Sequence, residues 1–476
     1  MTAVERAAVA ALRHGAFSKF EVQDADGVYR DYTQYLKTDW FTRATIRENI
    51  DSNTWSLNAT LLRETGTLSL SPFNVFSLVN RNSLGAYAAG INLWRKWRIS
   101  VAVMREGYPP TGTDWKEIAQ GRIDIIEWSE DQINITGRGE EAVLLDFQIA
   151  TPRQYGSGGG TAQETVIQSM NDNNLNALAP TLYTPVSPSY NMLTWTQSKG
   201  NLFPAEVSVA SKSGSVLRYR YDASDVNRLT LFKPNRAAAP GSEVWTLGPS
   251  EYTAVQRIAI DKQGIRNFIK EKFAHPTLGT QAVIYPHMAG TGTVACVAGV
   301  ATFSSSQAGI VKTSAAGSNT EIIVAGIPYT ITAFNGTTSA TLLSQSETGG
   351  VPSFAAAAFT LHDTLSGAGT TASIAEFGRV DFEMDLSADT QVTDPTNAQA
   401  MCDVVGSDLE LSDVEQQIET RGAWFIQLYD YGKFEANPQL YDEPQYGAVT
   451  SIEHVISDGT IVTTIGVKGR PAGGYR

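Results

Sequence analysis

Five histidines, two cysteines and 49 acidic residues are the side chains of this 476-residue chain that could transfer protons, attack a substrate or hold a metal. The histidines (His14, His275, His287, His362 and His454) are scattered. No two have the spacing by which a helix presents two imidazoles to one metal ion, and none stands in a Cys/His cluster. Cys296 and Cys402 are isolated, which suits neither a zinc site nor a disulfide framework and predicts reduced thiols. Residues 156–160 read Gly-Ser-Gly-Gly-Gly, but the Gly-Lys-Ser/Thr that completes a phosphate loop does not follow, so the segment predicts a linker over 152–162. No Gly-x-Ser-x-Gly elbow occurs. Two carboxylates could serve a glycosidase, yet among 49 acids such a pair carries no information.

A few groups merit closer reading. Glu140 and Glu141 open a short helical segment, where the helix dipole favours acids. Asp381, Glu383 and Asp385 alternate along a strand; the stripe could hold a cation or face a channel, and a solvated strand face is the simpler reading. Arg218 and Arg220 alternate with Leu217, Tyr219 and Tyr221, and read as solvated charges on the wet face of a strand. Trp94 and Trp97, set among Arg95, Lys96 and Arg98, could stack on sugar rings, although packing at a domain or subunit contact is preferred. The sequence thus predicts no catalytic, cofactor-binding or metal-binding residue, no cofactor and no enzyme.

The elements that would position these groups are mostly strands. Charged residues make up 18% of the chain, below the usual ~25%, and Thr, Ser, Asn, Ala and Gly fill the gap, as suits β-rich proteins with many turns. The net charge of −13 argues against a sequence-independent nucleic-acid binder; it fits solubility, and also an acidic wall that DNA slides past. The N-terminal residues lack the apolar core of a signal peptide, and no apolar run is long enough to span a membrane.

Residues 2–13 place Val4, Ala7, Ala8, Ala11 and Leu12 on one face of a helix. With them, residues 1–151 predict a first β-rich unit, a barrel or a sandwich, in which "KFEVQDADGVYRDYT" is a hairpin and "TWSLNATLLRE" and "KWRISVAVMRE" are half-buried strands. "GRIDIIEW" and "QINITGR" form a closing hairpin around "SED". A small α+β domain is expected over 163–236, with a helix whose apolar face carries Val166, Ile167, Met170 and Leu178, then two strands joined by "SKSG". Residues 252–273 read as a hairpin through "DKQG" that begins a second β-rich unit over 244–287 and 361–392. That unit is interrupted by 288–360, which holds only three charged residues (Lys312, Glu321 and Glu347) and predicts a small β-domain inserted into a host loop. Residues 393–476 give a C-terminal α+β region. Asp394 is an N-cap ahead of Pro395, Cys402 lies on the apolar helix face, and a hairpin closes the chain around "SDG".

The order of these segments resembles the hub proteins of siphophage and myophage tails and of gene transfer agents. The quoted run extends from "GRIDIIEWSEDQINITGRGEEAVLLD", through "VLRYRYDASDVNRLTL", "RIAIDKQGIRN", "IAEFGRVDFEMD" and "DPTNAQAMCDVVGSDL", to "GAVTSIEHVISDGTIVTTIGVKGRP". It covers about 17–470 apart from 288–360. The resemblance implies a mainly β fold with α+β parts: two β-barrel hub domains and two small α+β domains. It further implies a homotrimer whose pseudo-sixfold ring joins the sixfold tail tube to the threefold tip of a virion assembled in host cytoplasm. Its neighbours would be a distal tail or tail tube protein, a tape measure protein and central or side tail fibres, and DNA would pass through a channel plugged until ejection. The insertion departs from this pattern, and the chain shows no lysozyme or peptidase domain. The alternative reading is a receptor- or glycan-binding tail protein acting through 288–360.

Overall fold

A computed structural model describes all residues except 1–13, 24–26, 37–43, 53, 63, 66–67, 70–94, 106–109, 130–131, 157–159, 186–189, 235–240, 250, 262–264, 276–278, 290–291, 306–319, 325–326, 335–337, 345–350, 363–377, 379, 390–391, 393–394, 411–412, 421–424, 436–443, 458–459 and 472–476. The expected helix over 2–13, Trp94 and the Asp394 cap lie outside the described residues.

The N-terminal strands are β1 (His14–Gln23), β2 (Tyr29–Asp31), β3 (Ala44–Asn49), β4 (Ser56–Leu62), β5 (Lys96–Arg105), β6 (Lys116–Trp128) and β7 (Gln132–Gly139), followed by helix α1 (Ala142–Asp146). They alternate as the sequence predicts, with Leu57, Ala59 and Leu61 buried on β4 and Trp97, Ile99 and Val101 on β5. The predicted hairpins β1–β2 and β6–β7 are both formed. Arg138 on β7 clasps Asp124 on β6 at 2.7 and 2.9 Å and Asp146 at the end of α1 at 2.7 and 2.8 Å, fixing the helix to the hairpin.

The α+β unit comprises α2 (Gln163–Leu175), α3 (Leu202–Ser211), β8 (Val216–Tyr221) and β9 (Asn227–Phe232). Three expectations change here. Residues 206–210, expected as the strand leading into "SKSG", belong to α3, because Leu202, Phe203, Glu206, Val209 and Ala210 repeat at helical spacing and bury together. Helix α2 ends at Leu175, followed by a positive φ of 49° at Asn176, so Leu178 is 75% exposed and lies off the apolar face. The expected linker is partly structured, since Arg153–Tyr155 pairs with Trp195–Gln197 and Thr161–Ala162 with Asn191–Met192.

Beyond it run β10 (Trp245–Leu247), β11 (Tyr252–Asp261), β12 (Phe268–His275), β13 (Gly279–Tyr285), β14 (Asp381–Leu386), α4 (Pro395–Leu409), β15 (Asp413–Thr420), β16 (Tyr431–Phe434), β17 (Gln445–Ser457) and β18 (Thr460–Pro471). Strands β11 and β12 do not form the expected hairpin. β11 pairs with β15, whereas β12 pairs antiparallel with β13 and parallel with β14 under α4. The strands expected in a second barrel over 244–287 and 361–392 are therefore divided between two sheets, because their hydrogen-bonding partners come from distant parts of the chain.

The large sheet has 13 strands in the order β11-β15-β18-β17-β3-β4-β7-β6-β5-β1-β2, with β16 on β17 and β10 on β16. The predicted C-terminal hairpin β17–β18 thus joins the first seven strands to the last, through β17 on β3. β1 also lies against β18, curling this part of the sheet into a nearly closed barrel. One continuous core runs through both ends of the chain, from Phe20, Leu57 and Trp97 to Trp245, Ile452 and Ile465.

Between β13 and β14, eight strands from Met288–Ala289 to Phe359–His362 form a separate sheet with its own core of Val294, Cys296, Ile322, Ile331 and Leu342. Its first and last strands in the sequence include a paired Met288 and Leu361, so the chain leaves and returns to its host at adjacent points.

Gly432 on β16 is required by close approach: a Cβ there would lie 1.9 Å from the buried Trp245 indole, which is packed edge-on against Phe434. Gly432→Ala is expected to cost about 1–3 kcal/mol by overpacking, read as a lower denaturant midpoint. An unchanged midpoint would contradict this packing.

Candidate functional site: an ionic joint between barrel and α+β unit

The α+β unit meets the large sheet along β8, whose residues 218–221 all reach across. Arg218 is 6% exposed and Glu48, at the end of β3, is 5% exposed; the two pair at 3.1 Å. The second terminal nitrogen of Arg218 donates to the carbonyls of Asn49 at 3.2 Å and Ile50 at 3.0 Å, and also to that of Ser52. One side chain of the α+β unit therefore caps the whole turn between β3 and β4. Burial pushes the Glu48 carboxyl up to about 8, against the opposing pull of Arg218.

The next positions continue the seam. The backbone N–H of Tyr219 donates to Glu141 at 3.1 Å, and the other Glu141 oxygen accepts from Thr54 at 3.0 Å. Arg220 pairs with Asp430 and lies over the Phe232 ring at 4.3 Å. Burial raises the Asp430 carboxyl while Arg220 pulls it down. The Gln427 amide bonds both the N–H and the carbonyl of Tyr221, in the manner of a neighbouring strand, and the Tyr221 hydroxyl donates to Glu117 on β6 at 3.1 Å. Lys116 and Asp225 close the rim at 3.2 Å.

These groups surround a cavity of about 390 Å³, walled by Trp55, Phe232, Trp245 and Tyr429. His454 completes its floor. It is 1% exposed, stacked on Trp55 and bonded to Thr463 at 2.9 Å, and burial lowers it to about 3, so the imidazole is neutral. The ion pairs are internal to the joint, and the chemistry of the arrangement is the holding together of units far apart in sequence.

The structure corrects the reading of Arg218 and Arg220 as solvated charges: Arg218 is buried and Arg220 half-buried at the joint, each paired with a carboxylate, because the outer face of β8 is covered by the large sheet. Glu140 and Glu141 precede α1 rather than occupying its first turn; Glu141 is 0% exposed, and Glu140 pairs with Lys96 at 3.0 Å. Trp97 lies in the barrel core and donates to the carbonyl of Arg122 at 3.2 Å. In the acidic stripe, Glu383 pairs with Lys272 and Asp385 bonds Ser387, on a strand whose first three residues are exposed. Among the described residues no group of three or more His, Cys, Asp or Glu is placed to hold a metal ion. Cys296 and Cys402 are free and buried in separate cores. Glu48, Gln427 and Asp430 carry no signal of their own in the sequence; the one available pointer to them is the pair of arginines on an otherwise apolar strand.

No protein-family model matches the chain, and no curated protein matches it. Among solved structures, the tail protein from Neisseria meningitidis MC58 aligns with 95% of this chain and 96% of its own, at 10% identity and a TM-score of 0.50. The 43 kDa tail protein of prophage MuSo2 from Shewanella oneidensis aligns over 94% and 96% of the two chains, at 10% identity and a TM-score of 0.47. Prophage tail protein gp18 from Listeria monocytogenes EGD-e aligns over 95% of each chain, at 9% identity and a TM-score of 0.47. At such identity the shared property with the Neisseria tail protein is architecture, and this chain has that fold, mainly β with α+β parts.

Proposed function

We propose that the chain is a structural component of a phage-type tail, acting as the hub of the tail tip or baseplate. The observation that carries this reading is the fold shared with the Neisseria tail protein over nearly the whole of both chains. The finer picture rests on the resemblance described above. Three copies form a pseudo-sixfold ring that joins the tail tube to a threefold tip, contacts distal tail, tape measure and fibre proteins, and lines or plugs the DNA channel. The ionic joint suits that role, since a ring under load needs its units held in fixed relation. Native mass spectrometry of the purified chain, with cryo-EM of particles, tests it: a trimer in a threefold ring is expected, with a lumen of acidic or neutral residues. A monomer in intact particles, or an arginine-lined lumen, would sink the hub reading.

A second role is favoured by the inserted sheet, which presents Val297, Val300, Leu343 and Val351 at 48–73% exposure. This face would engage a host receptor or glycan. Deleting 288–360 is expected to leave assembly intact and to abolish adsorption to host cells; normal adsorption would remove this role.

A further inference from the structure

Glu271 occupies the centre of β12, on the face covered by α4. Its neighbours on that face are Ile269 and Phe273, both fully buried, with Val283 of β13 directly opposite on one side and Met384 of β14 on the other. All of these apolar side chains belong to the core between this three-stranded sheet and α4. Glu271 itself is 0% exposed, and neither carboxyl oxygen has a hydrogen-bond partner. A carboxylate left ionised there would be very costly, so the group keeps its proton.

The titratable groups that face it come from α4, from Tyr285 on the same face of β13 and from the segment after β13. Asp403 disfavours a second negative charge at Glu271, and the buried Cys402 thiol feels Glu271 in turn. His287 sits 3.3 Å from Asp403, and Gln399 bonds Asp403, His287 and the carbonyl of Ile284. On β12 itself, Lys270 and Lys272 alternate to the opposite face, where Lys272 pairs with Glu383. No cation therefore faces Glu271 from its own strand, and His287, after β13, is engaged by Asp403.

Helix α4 also reaches the α+β unit. Val404 packs against Gly214, and Met401, Val404 and Val405 line a cavity of about 300 Å³ shared with Phe203 and Val207 of α3. Lys212 after α3 pairs with Asp389 before α4. Whatever loosens α4 therefore loosens the contact between two units.

We propose that protonated Glu271 is a latch for α4, and that loss of this proton releases the helix from the β12–β13–β14 sheet. In the released state water reaches the carboxyl, which then ionises in its ordinary range. In the docked state it holds its proton until about pH 8, where burial and Asp403 place it. Between roughly pH 5 and pH 8 the docked form is protonated and the released form is not, so release becomes about tenfold more favourable per pH unit. The His287–Asp403 contact acts in the same direction only at the upper end. The Asp403 hydrogen bond raises the His287 imidazole above its usual value, and the contact is lost as that proton leaves.

Hydrogen exchange of the full-length chain tests this. After correction for intrinsic exchange, protection of the α4 amides is expected to fall about tenfold per unit from pH 5 to pH 8 and then level off, with α2 as internal reference. Glu271→Gln, nearly isosteric and unable to ionise, should flatten the fall. If that variant is insoluble, Asp403→Asn in its place should move the levelling-off to lower pH. Protection in the wild-type chain that does not vary with pH relative to α2 would overturn the latch. So would a fall that persists in Glu271→Gln and disappears in His287→Gln, which would assign the effect to the histidine.

Discussion

Replacing Arg218 with alanine is expected to destabilise the chain by about 3–5 kcal/mol above about pH 8, where Glu48 is ionised in the folded chain, the cost of removing one partner from a buried ion pair. Glu48 would be left buried among groups that offer it no comparable counter-charge, and the carbonyls of Asn49, Ile50 and Ser52 would lose a shared donor. Arg218→Lys keeps the charge and lacks the planar fork that serves a carboxylate and three carbonyls at once, so it should recover only part of the loss. The measurement is the denaturant midpoint, accompanied by hydrogen exchange at Ile50 and Ser52. Exchange there should rise in Arg218→Ala more than in Arg220→Ala, whose partner Asp430 lies elsewhere in the seam. Equal effects of both substitutions at that turn would show that Arg218 does not cap it.

The second large effect is on pH dependence. Burial holds His454 neutral, at about 3 against an ordinary 6.5. The unfolded chain thus takes up this proton first as pH falls, and stability is lost between about pH 6.5 and pH 3. At ~1.4 kcal/mol per pKa unit the loss approaches ~5 kcal/mol. Glu48 works in the opposite sense. The folded chain keeps its proton to about 8 and the unfolded chain releases it near 4.5, so stability falls as pH rises through that window. A stability maximum in mildly acidic solution is the expected result. His454→Gln should flatten the acid limb while leaving the alkaline limb in place, as followed by denaturant midpoints from pH 3.5 to 8.5. An acid limb of unchanged slope in the variant would show that His454 does not set it.

The features legible in the sequence were those set by neighbours a few residues apart. The β6–β7 hairpin, the alternation along β4 and β5, helix α4 and the closing β17–β18 hairpin all follow from period and turn chemistry. Where two periods competed, the reading failed. "EVSVAS" alternates like a strand, yet it belongs to α3, where Phe203, Glu206 and Val209 give the helical spacing that burial selects. The arginines of β8 were misread for a related reason. Alternation tells which residues share a face, and cannot tell whether that face meets water or another unit.

The sequence by itself therefore determined the β-rich class, most of the hairpins and the lack of recognisable catalytic spacing. The tertiary structure decided which hairpins are neighbours: β17 beside β3, β11 beside β15, and β12 between β13 and β14. It also decided where ionisable groups are buried, setting Arg218 on Glu48, Arg220 on Asp430 and Glu271 beneath α4. The physical reason is range. Backbone propensity and side-chain period act over a few residues, whereas strand pairing and burial depend on which distant surfaces come together and exclude water.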